Sequence, residues 1–536
     1  MNKTNFQKWL KKWGLYLLAI VFLVGALFMY LDFFPAFVQN DEATRGVVAL
    51  EMIISGNYIT PTIHGEFYYC KPPIFNWLLI LFYNIFGNLD EFALRLPSLL
   101  FLFIWFASIF FFVKKEYGPK VGLLTALVFL TNIRMLMFEA YFCQIDMPFA
   151  CLVYTGMMVI YFYKKRGNFW MLFALSYFIA ALTFLLKGLP SIVFQGITLL
   201  VIFGNKRDFK KLFMLQHFVG VLAFIIPVGL YYYFYSQQNS IETIFSVILS
   251  ESTHRTVVDY SIWRSIFHFS VFPLEVLYHY TPWTFLVIFM FSRKFWKILN
   301  QNSFLKFNLL VFLFNLPVYW LAPGFFPKYI IMLVPLFYTV LIYIFVEKAK
   351  EFPIQMKIIT IAFRIFGILI LLYLLTVPFI DLGFDISYVY LKSFGLAALA
   401  GIFVYLSFKN KKDILLYVVF ILLIAKVSFN WFNWINRYPE VHKYKSDAVI
   451  VARMVGDKDL RYYNMRITQW GTTYYMTKEN MQIIENDTED IIPEAYYVID
   501  DKALEKVNDK NMPYKILYKF ETKEGKKKLN LVKFDE

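Results

Sequence analysis

The sequence predicts an all-α polytopic membrane protein of about 13 transmembrane helices, followed by a small C-terminal soluble α/β domain. Of the 536 residues, 59% are apolar and 17% are charged, and the mean hydropathy is +0.54. The apolar residues form unbroken runs of roughly 17–25 residues, the length that crosses a bilayer as a helix. After about residue 434 the composition changes to charged residues with short alternating apolar runs, which is typical of a soluble domain.

The first half of the chain contains seven of these apolar runs and the second half six. Their predicted limits are 13–31, 93–113, 121–138, 147–163, 169–186, 189–204, 213–235, 282–292, 307–322, 328–346, 358–380, 393–408 and 414–432, and the short run 282–292 is expected to extend beyond these limits. Together they predict a transmembrane domain over 1–434, and the charged remainder predicts the α/β domain over 435–536. Two long polar connections, 32–92 and 237–280, lie between the runs, and 42–54 and 74–86 are expected to be helices of the first.

Basic residues account for the net charge of +15, and they occur in short clusters in every second connection, such as Lys164, Lys165 and Arg166. This is the positive-inside pattern, and it places the N-terminus on the cytoplasmic side of the membrane, which is expected to be the plasma (bacterial inner) membrane. An odd number of spans puts the 435–536 domain and both long connections outside. Because the charge is divided among these clusters, no basic stripe for nucleic acid is predicted.

The densest group of ionisable residues lies in the first outer connection. Asp41 and Glu42 come just beyond the first span, and Lys71 precedes two prolines. A carboxylate there can take a proton from an acceptor hydroxyl, and a lysine can hold a phosphate leaving group. The structural alternative is that Asp41 and Glu42 only cap the helix that follows them.

Other charged residues lie where spans end. Asp146 precedes Met147-Pro148 at the mouth of a span, where it serves either the chemistry or as an N-cap. Lys187 and Lys328 either hold a lipid phosphate or extend towards headgroups. Arg255, in the second outer connection, is a lower-ranked candidate for binding the carrier phosphate or lipid, because solvated charge is normal in such a loop. The three cysteines, Cys70, Cys143 and Cys151, form neither a disulfide framework nor a CxxC zinc motif.

At these residues the chain resembles the aminoarabinose-transferase and protein-O-mannosyltransferase-like enzymes, which have the GT-C fold. The resemblance is carried by Asp41-Glu42-Ala43, Ala49-Leu50-Glu51-Met52, Ser55-Gly56-Asn57-Tyr58-Ile59-Thr60-Pro61, Tyr68-Tyr69-Cys70-Lys71-Pro72-Pro73 and Trp77. It continues through Phe86-Gly87, Glu91-Phe92-Ala93-Leu94-Arg95-Leu96-Pro97-Ser98, Asp146-Met147-Pro148, Lys187-Gly188, Pro282-Trp283 and Pro327-Lys328-Tyr329-Ile330. It therefore covers most of the membrane part in the same order.

The resemblance implies an inverting transfer of a sugar from a polyprenyl-phosphate donor, with undecaprenyl phosphate as the expected carrier. Asp41 would be the acid–base residue with Glu42 as its less critical neighbour, and Lys71 would bind the carrier phosphate. Asp146, Lys187 and Tyr329 would line the same cavity. The acceptor would be lipid A, another envelope glycan or a protein.

Two positions depart from the family pattern. The family often has arginine where this chain has Thr44, and here the arginine is Arg45, so either position is open for the phosphate role. Aminoarabinose transferases carry a glutamate, a metal ligand, where this chain has Cys70. No cofactor is assigned, and a divalent metal at Cys70 is left open.

Two other classes of protein remain as alternatives. A lipid-linked sugar flippase or transporter would carry its functional charges mid-span, whereas here they cluster at one face. A structural scaffold would leave the group of Asp41, Lys71 and Asp146 without a role.

Overall fold

The computed structural model describes residues 3–33, 35–36, 40–253, 261–324, 326–381, 385–434, 439–463, 470–487, 491–492, 494–509, 513–522 and 527–534. Arg255, one of the candidate substrate-binding residues, lies outside the described residues.

Helices make up most of the described chain. The α-helices are α1 Lys3–Phe28, α2 Asn40–Ser55, α3 Ile74–Phe86, α4 Glu91–Leu130, α5 Ile133–Met137, α6 Asp146–Lys165, α7 Phe169–Lys187, α8 Pro190–Phe203, α9 Leu215–Ser236, α10 Ile241–Thr253, α11 Ile262–His279, α12 Arg293–Gln301, α13 Ser303–Asn315, α14 Pro317–Trp320, α15 Val334–Glu347, α16 Pro353–Thr376, α17 Val389–Lys409, α18 Ile414–Ser428, α19 Pro439–Val455, α20 Trp470–Asn480 and α21 Asp501–Asp509. The strands are β1 Thr62–Ile63, β2 Glu66–Phe67, β3 Leu460–Tyr463, β4 Asn486–Asp487, β5 Tyr496–Asp500, β6 Tyr514–Glu521 and β7 Lys528–Phe534.

The predicted class of fold, a polytopic all-α membrane protein, is confirmed. Among the described residues, 9 helical segments are long and apolar enough to cross a membrane. One of them, α4, contains the predicted span 93–113 and the first part of the predicted span 121–138, and its backbone leaves the helical conformation between them at Gly118, where φ is +82°. The predicted span 121–138 runs past the end of α4 at Leu130 and includes the separate short helix α5. The predicted spans 189–204 and 328–346 correspond to the shorter apolar helices α8 and α15. The predicted span 282–292 is the short 3₁₀ helix Trp283–Phe291.

The membrane helices divide into an interior group and an outer group. Most residues of α6 and α18 are buried, whereas only a few residues of α9 are buried and the others are partly or fully exposed. A helix that is apolar all round can be exposed only where lipid covers it, so α9 lies at the edge of the bundle. The central helix α6 packs against α4, α7 and α8, and this packing fixes the position of its first residue, Asp146.

The connection between α1 and α4 contains both predicted helices. The helix predicted over 42–54 is α2, which ends before Gly56, where a φ of +68° favours glycine. The helix predicted over 74–86 is α3, which follows the two prolines and stops at Gly87 in the left-handed conformation. Between them, β1 and β2 form an antiparallel hairpin that pairs Thr62 with Phe67.

The C-terminal region forms a five-stranded sheet with the order β4-β3-β5-β7-β6. The alternating runs of the sequence are β5 and β7, which pair antiparallel and place all five residues of β5 in the interior. Strands β6 and β7 also pair antiparallel. A small C-terminal sheet domain is therefore confirmed, while its exact limits of 435–536 stay a prediction.

This domain packs directly on the connection between α1 and α4. The aromatic ring of Tyr474 in α20 lies so close to Gly46 of α2 that a side chain at that position would collide with it. Tyr475 donates a hydrogen bond to Glu91 Oε1 over 2.6 Å, and Lys445 forms an ion pair with the same oxygen at 2.6 Å. The sheet domain therefore helps to fix the position of α2, which carries Asp41.

Candidate active site

A charged cavity of about 90 Å³ lies where the first turns of α2 and α6 meet the end of α7. Space of this size holds several water molecules. The cavity is lined by Asp41, Arg45, Lys71, Cys143, Gln144, Ile145, Asp146, Lys187 and Tyr329. Six of these residues are candidates from the sequence, and they come from segments as far apart as α2 and the connection after α14. The fold thus assembles the predicted group, whereas the roles of its members stay predictions.

Asp41 and Glu42 are neighbours in the first turn of α2 but face different surroundings. Successive residues of a helix point about 100° apart, so two adjacent side chains cannot occupy the same environment. Asp41 is exposed and lines the cavity. It forms no ion pair with any described residue. Glu42 is fully buried and lies outside the cavity lining.

Glu42 forms a buried ion pair with Arg95 of α4. Arg95 donates from Nε to Oε1 over 2.7 Å and from Nη2 to Oε2 over 2.8 Å. The carboxylate also accepts from the backbone N–H of Cys143 at 2.9 Å, and the remaining Arg95 nitrogen donates to the carbonyl oxygen of Leu31 at 2.7 Å. Because its oxygens are all engaged, Glu42 ties four segments together and has no atom free for a substrate.

Arg45 reaches the cavity from the next turn of α2, while Thr44 does not line it. Its guanidinium lies over the ring of Tyr68, 5.4 Å from the centroid. Burial opposes the charged form, but Tyr68 and Asp41 outweigh it and raise the pKa of Arg45 above its ordinary value. The buried Nη1 has no hydrogen-bond partner among the described residues. A buried donor without a partner is costly, which favours an anion in the adjoining space.

Lys71 enters the cavity from the segment between the β1–β2 hairpin and α3. The hairpin is held by Glu51, which accepts hydrogen bonds from Thr62 Oγ1 at 2.8 Å and from the His64 N–H at 2.6 Å. Burial raises the pKa of Glu51, and these hydrogen bonds oppose that effect. The buried prolines after Lys71 restrict the backbone, so its position relative to Asp41 is set by the loop rather than by a helix.

Asp146 and Lys187 form an ion pair across the cavity. Asp146 is the first residue of α6, and the preceding Ile145 occupies the N-cap position without a side-chain hydrogen bond, so Asp146 is not the N-cap. Lys187 is the last residue of α7, and its ammonium lies 4.7 Å from the ring centroid of Tyr329. A carboxylate at a helix start and a cation at a helix end both agree with the helix dipoles.

Lys328 lies beside the cavity but does not line it. Its ammonium is 5.3 Å from the ring centroid of Tyr329. Burial lowers the pKa of Lys328, but Asp146, Tyr329 and Glu139 together raise it above the ordinary value. Glu139 is itself buried and pairs with Arg134 at 2.5 Å. Lys328 therefore contributes positive potential from a short distance.

Three cations and two carboxylates face this cavity. Asp146 and Lys187 neutralise each other, which leaves Arg45 and Lys71 opposite the single carboxylate of Asp41. In a partly closed site of lowered dielectric, this excess of cations favours an anionic group.

No group of three His, Cys, Asp or Glu side chains suited to a metal ion occurs in the described part of the chain. Cys70 is exposed and lies outside the cavity lining. The residues around Cys70 therefore do not supply the ligand set that the resemblance brings to this position.

Sequence reasoning missed two parts of the site. Cys143, Gln144 and Ile145 line the cavity as an irregular segment before α6, and nothing in their composition marks them. Arg95 was noted only as part of the resemblance, although an arginine at the start of a predicted span is itself a signal, because such a residue needs a partner.

Comparisons with known proteins agree with this geometry. Residues 70–232 match the family described as dolichyl-phosphate-mannose-protein mannosyltransferase. An uncharacterized protein of Aquifex aeolicus is 23% identical over 321 residues, 59% of this chain and 61% of that protein. An undecaprenyl phosphate-alpha-4-amino-4-deoxy-L-arabinose arabinosyl transferase of Pseudomonas fluorescens is 24% identical over 123 residues, 23% of this chain and 21% of the transferase. The matches thus span less than two thirds of either relative.

Solved structures extend the likeness to the whole fold. The crystal structure of ArnT from Cupriavidus metallidurans bound to undecaprenyl phosphate superposes with a TM-score of 0.70 at 17% identity, covering 97% of this chain and 98% of that one. Its apo state gives a TM-score of 0.66 over the same shares. The predicted resemblance is therefore confirmed: this chain has the GT-C fold of the aminoarabinose transferase ArnT, and its residues 70–232 are similar to the dolichyl-phosphate-mannose-protein mannosyltransferase family.

Proposed function

We propose that the protein is an inverting glycosyltransferase that moves a sugar from a polyprenyl-phosphate donor to an acceptor in the cell envelope. One observation carries the proposal. The cavity places Asp41, a carboxylate without an ion-pair partner among the described residues, opposite two cations, Arg45 and Lys71. A base and an anion site in one cavity are what transfer from a phosphate leaving group requires.

The carrier phosphate lies between Arg45 and Lys71. Arg45 Nη1 is a buried donor without a partner among the described residues, and a phosphate oxygen would satisfy it. As the bond between the sugar C1 and the phosphate oxygen breaks, negative charge grows on the phosphate. The two cations stabilise that charge more in the transition state than in the ground state, which lowers the barrier.

Asp41 acts as the general base. The acceptor hydroxyl or amine attacks C1 from the face opposite the phosphate, the new bond to C1 forms as the old one breaks, and the proton passes to the Asp41 carboxylate. One displacement inverts the configuration at C1. Glu42 cannot share this role while both of its oxygens are held by Arg95 and by the Cys143 N–H.

Asp146 holds the cavity in shape. Its carboxylate fixes Lys187 above the Tyr329 ring, and without Lys187 the half-buried Asp146 would lose its ion-pair partner. Asp146 is therefore a positioning residue for Lys187, and the ring of Tyr329 is the surface against which Lys187 packs.

The relatives support undecaprenyl phosphate as the carrier. One is named for an undecaprenyl-phosphate-linked sugar, and the solved ArnT is bound to undecaprenyl phosphate. Lipid A, another glycan or a protein serves as acceptor.

The N-terminus lies in the cytoplasm, and the sheet domain lies outside the plasma membrane. Maleimide labelling of cysteines introduced into the sheet domain tests this arrangement. Labelling only after the membrane is permeabilised would contradict it.

The decisive experiment uses the purified full chain in lipid nanodiscs with polyprenyl-phosphate donors that carry different labelled sugars. Envelope lipids and glycans from cells with and without the gene, compared by mass spectrometry, identify the acceptor to add. Release of free polyprenyl phosphate together with a labelled acceptor is expected. A flippase would instead move the intact donor across a vesicle membrane without releasing phosphate, and that outcome would replace the proposed activity.

A further inference from the structure

A second and larger cavity, of about 380 Å³, lies between α6, α8 and α13. It is at the end of α6 opposite to Asp146, since Tyr161, Lys164 and Lys165 of that helix form one of its walls. The rise of a helix from Asp146 to Lys165 is about 28 Å, close to the thickness of a hydrocarbon core. This inner-end cavity is therefore separate from the catalytic cavity and lies at the level of the other leaflet's headgroups.

Lysines dominate the polar part of this cavity. Lys165 pairs with Glu116 at 2.6 Å, and Lys164 pairs with Asp208 at 2.9 Å. Lys306 of α13 is exposed in the cavity wall, and its ammonium forms no ion pair with any described residue. Positive charge at the cavity therefore exceeds what the neighbouring carboxylates neutralise.

The remaining lining combines hydroxyl groups with apolar side chains. Tyr161 and Ser303 hydrogen-bond to each other at 3.1 Å, next to the lysines. Further into the bundle, Phe307 and Leu310 lie on the same face of α13, because each follows a polar lining residue, Ser303 and Lys306 respectively, by four residues. One end of the cavity is thus cationic and hydrogen-bonding, and the other end is apolar.

We propose that the inner-end cavity binds an anionic phospholipid. The phosphodiester lies against Lys164 and Lys306, one hydroxyl of the hydrogen-bonded Tyr161–Ser303 pair is a further donor, and an acyl chain lies along Phe307 and the rest of the apolar wall. Basic pockets between transmembrane helices bind anionic headgroups in this way. A small polar anion would leave the apolar wall unused, and a neutral lipid would leave Lys306 uncompensated.

The test measures lipid binding to the full chain in a neutral detergent by native mass spectrometry. Phosphatidylglycerol is expected to bind more tightly than phosphatidylcholine. Lys306→Ala should weaken phosphatidylglycerol binding about fivefold, the effect of one lysine near a membrane surface, and Lys306→Glu should weaken it further. Lys297→Ala is the matched control, because Lys297 is an exposed lysine of α12 outside the cavity. It should leave binding unchanged.

Competition separates the sources of the phosphate. Inorganic phosphate in large excess should not displace phosphatidylglycerol, because it gains nothing from the apolar wall. Displacement by inorganic phosphate, or stronger competition by polyprenyl phosphate than by a second phospholipid, would overturn the proposal. So would equal binding of the two phospholipids, or equal effects of Lys306→Ala and Lys297→Ala. Melting temperatures in the neutral detergent check that each variant is folded.

Discussion

The Glu42–Arg95 pair and the charged cavity lie next to each other at the start of α2, yet they differ in how completely their charged groups are paired. In the buried pair, each carboxylate oxygen of Glu42 and each guanidinium nitrogen of Arg95 has a partner within 2.9 Å. In the cavity, Asp41 has no ion-pair partner among the described residues, and Arg45 Nη1 has no hydrogen bond. The first arrangement suits a structural junction. The second suits a site that a ligand completes.

Removal of the Glu42 carboxylate should have the largest effect on stability. Glu42→Ala leaves Arg95 buried without its partner, which typically costs about 3–5 kcal/mol. We expect a large fall in the melting temperature in detergent and a low yield of folded protein. The transfer activity of each remaining folded molecule should change little.

A matched double variant sharpens this prediction. Replacing both Glu42 and Arg95 with apolar residues of similar volume removes the pair without leaving a lone charge, so part of the stability should return. A folded Glu42→Ala protein with collapsed activity would instead give Glu42 a catalytic role. It would contradict the view that the Glu42–Arg95 pair is only structural.

The contact between the β1–β2 hairpin and the sheet domain is also buried, but it contains a group that can titrate, His64. His64 donates from Nδ1 to the carbonyl oxygen of Ile484 at 3.0 Å, and burial lowers its pKa to about 4. A histidine with a lowered folded pKa stabilises the fold at high pH and loses that contribution as the pH falls from about 6.5 to about 4. The loss should approach about 3 kcal/mol.

Thermal unfolding of the wild type and of His64→Gln across this pH range isolates the contribution of His64 from those of the neighbouring carboxylates. The difference in melting temperature between the two proteins should shrink or reverse as the pH falls. A constant difference from pH 7 to pH 4 would show that His64 does not titrate in this contact.

The smallest of these effects is expected at Lys71, which in the proposed mechanism binds the phosphate of the donor. Lys71→Ala removes one charge-assisted contact with phosphate, worth roughly 1.5–3 kcal/mol or about 10- to 150-fold in use of the donor. Lys328→Ala is the matched control, because Lys328 lies beside the cavity without lining it. Equal losses in the two variants would mean that general positive potential, and not contact with the phosphate, drives donor binding.

Local patterns predicted much of this fold. Helix α3 was predicted with its observed limits because two prolines precede it, a glycine follows it, and most of its residues are apolar or aromatic. The two predicted spans within α4 are separated by Gly118, and this break is visible in the sequence as Gly118-Pro119. By contrast, the run 282–292 has the apolar composition of a transmembrane span, but it forms only the short 3₁₀ helix Trp283–Phe291. Its composition alone does not distinguish a 3₁₀ helix from part of a longer α-helix.

Partners distant in sequence could not be predicted in the same way. The candidate residues Asp41, Lys71, Asp146 and Lys187 were identified because charges at span ends are costly. The pairing of Glu42 with Arg95, and that of Asp146 with Lys187, depends on how α2, α4, α6 and α7 pack. The sequence also left the N-cap reading of Asp146 open, and only the backbone shows Ile145 in that position.

The central claim is that Asp41 is the catalytic base and Glu42 is structural, and Asp41→Asn tests it most directly. Asparagine keeps the shape of aspartate but cannot accept the acceptor's proton. General base catalysis contributes about 10²–10⁴-fold, so transfer from a polyprenyl-phosphate sugar should fall by that factor. Expression, melting temperature and donor binding should stay near those of the wild type. An Asp41→Asn protein with nearly normal transfer would contradict the account and would make Asp146 the leading candidate for the base.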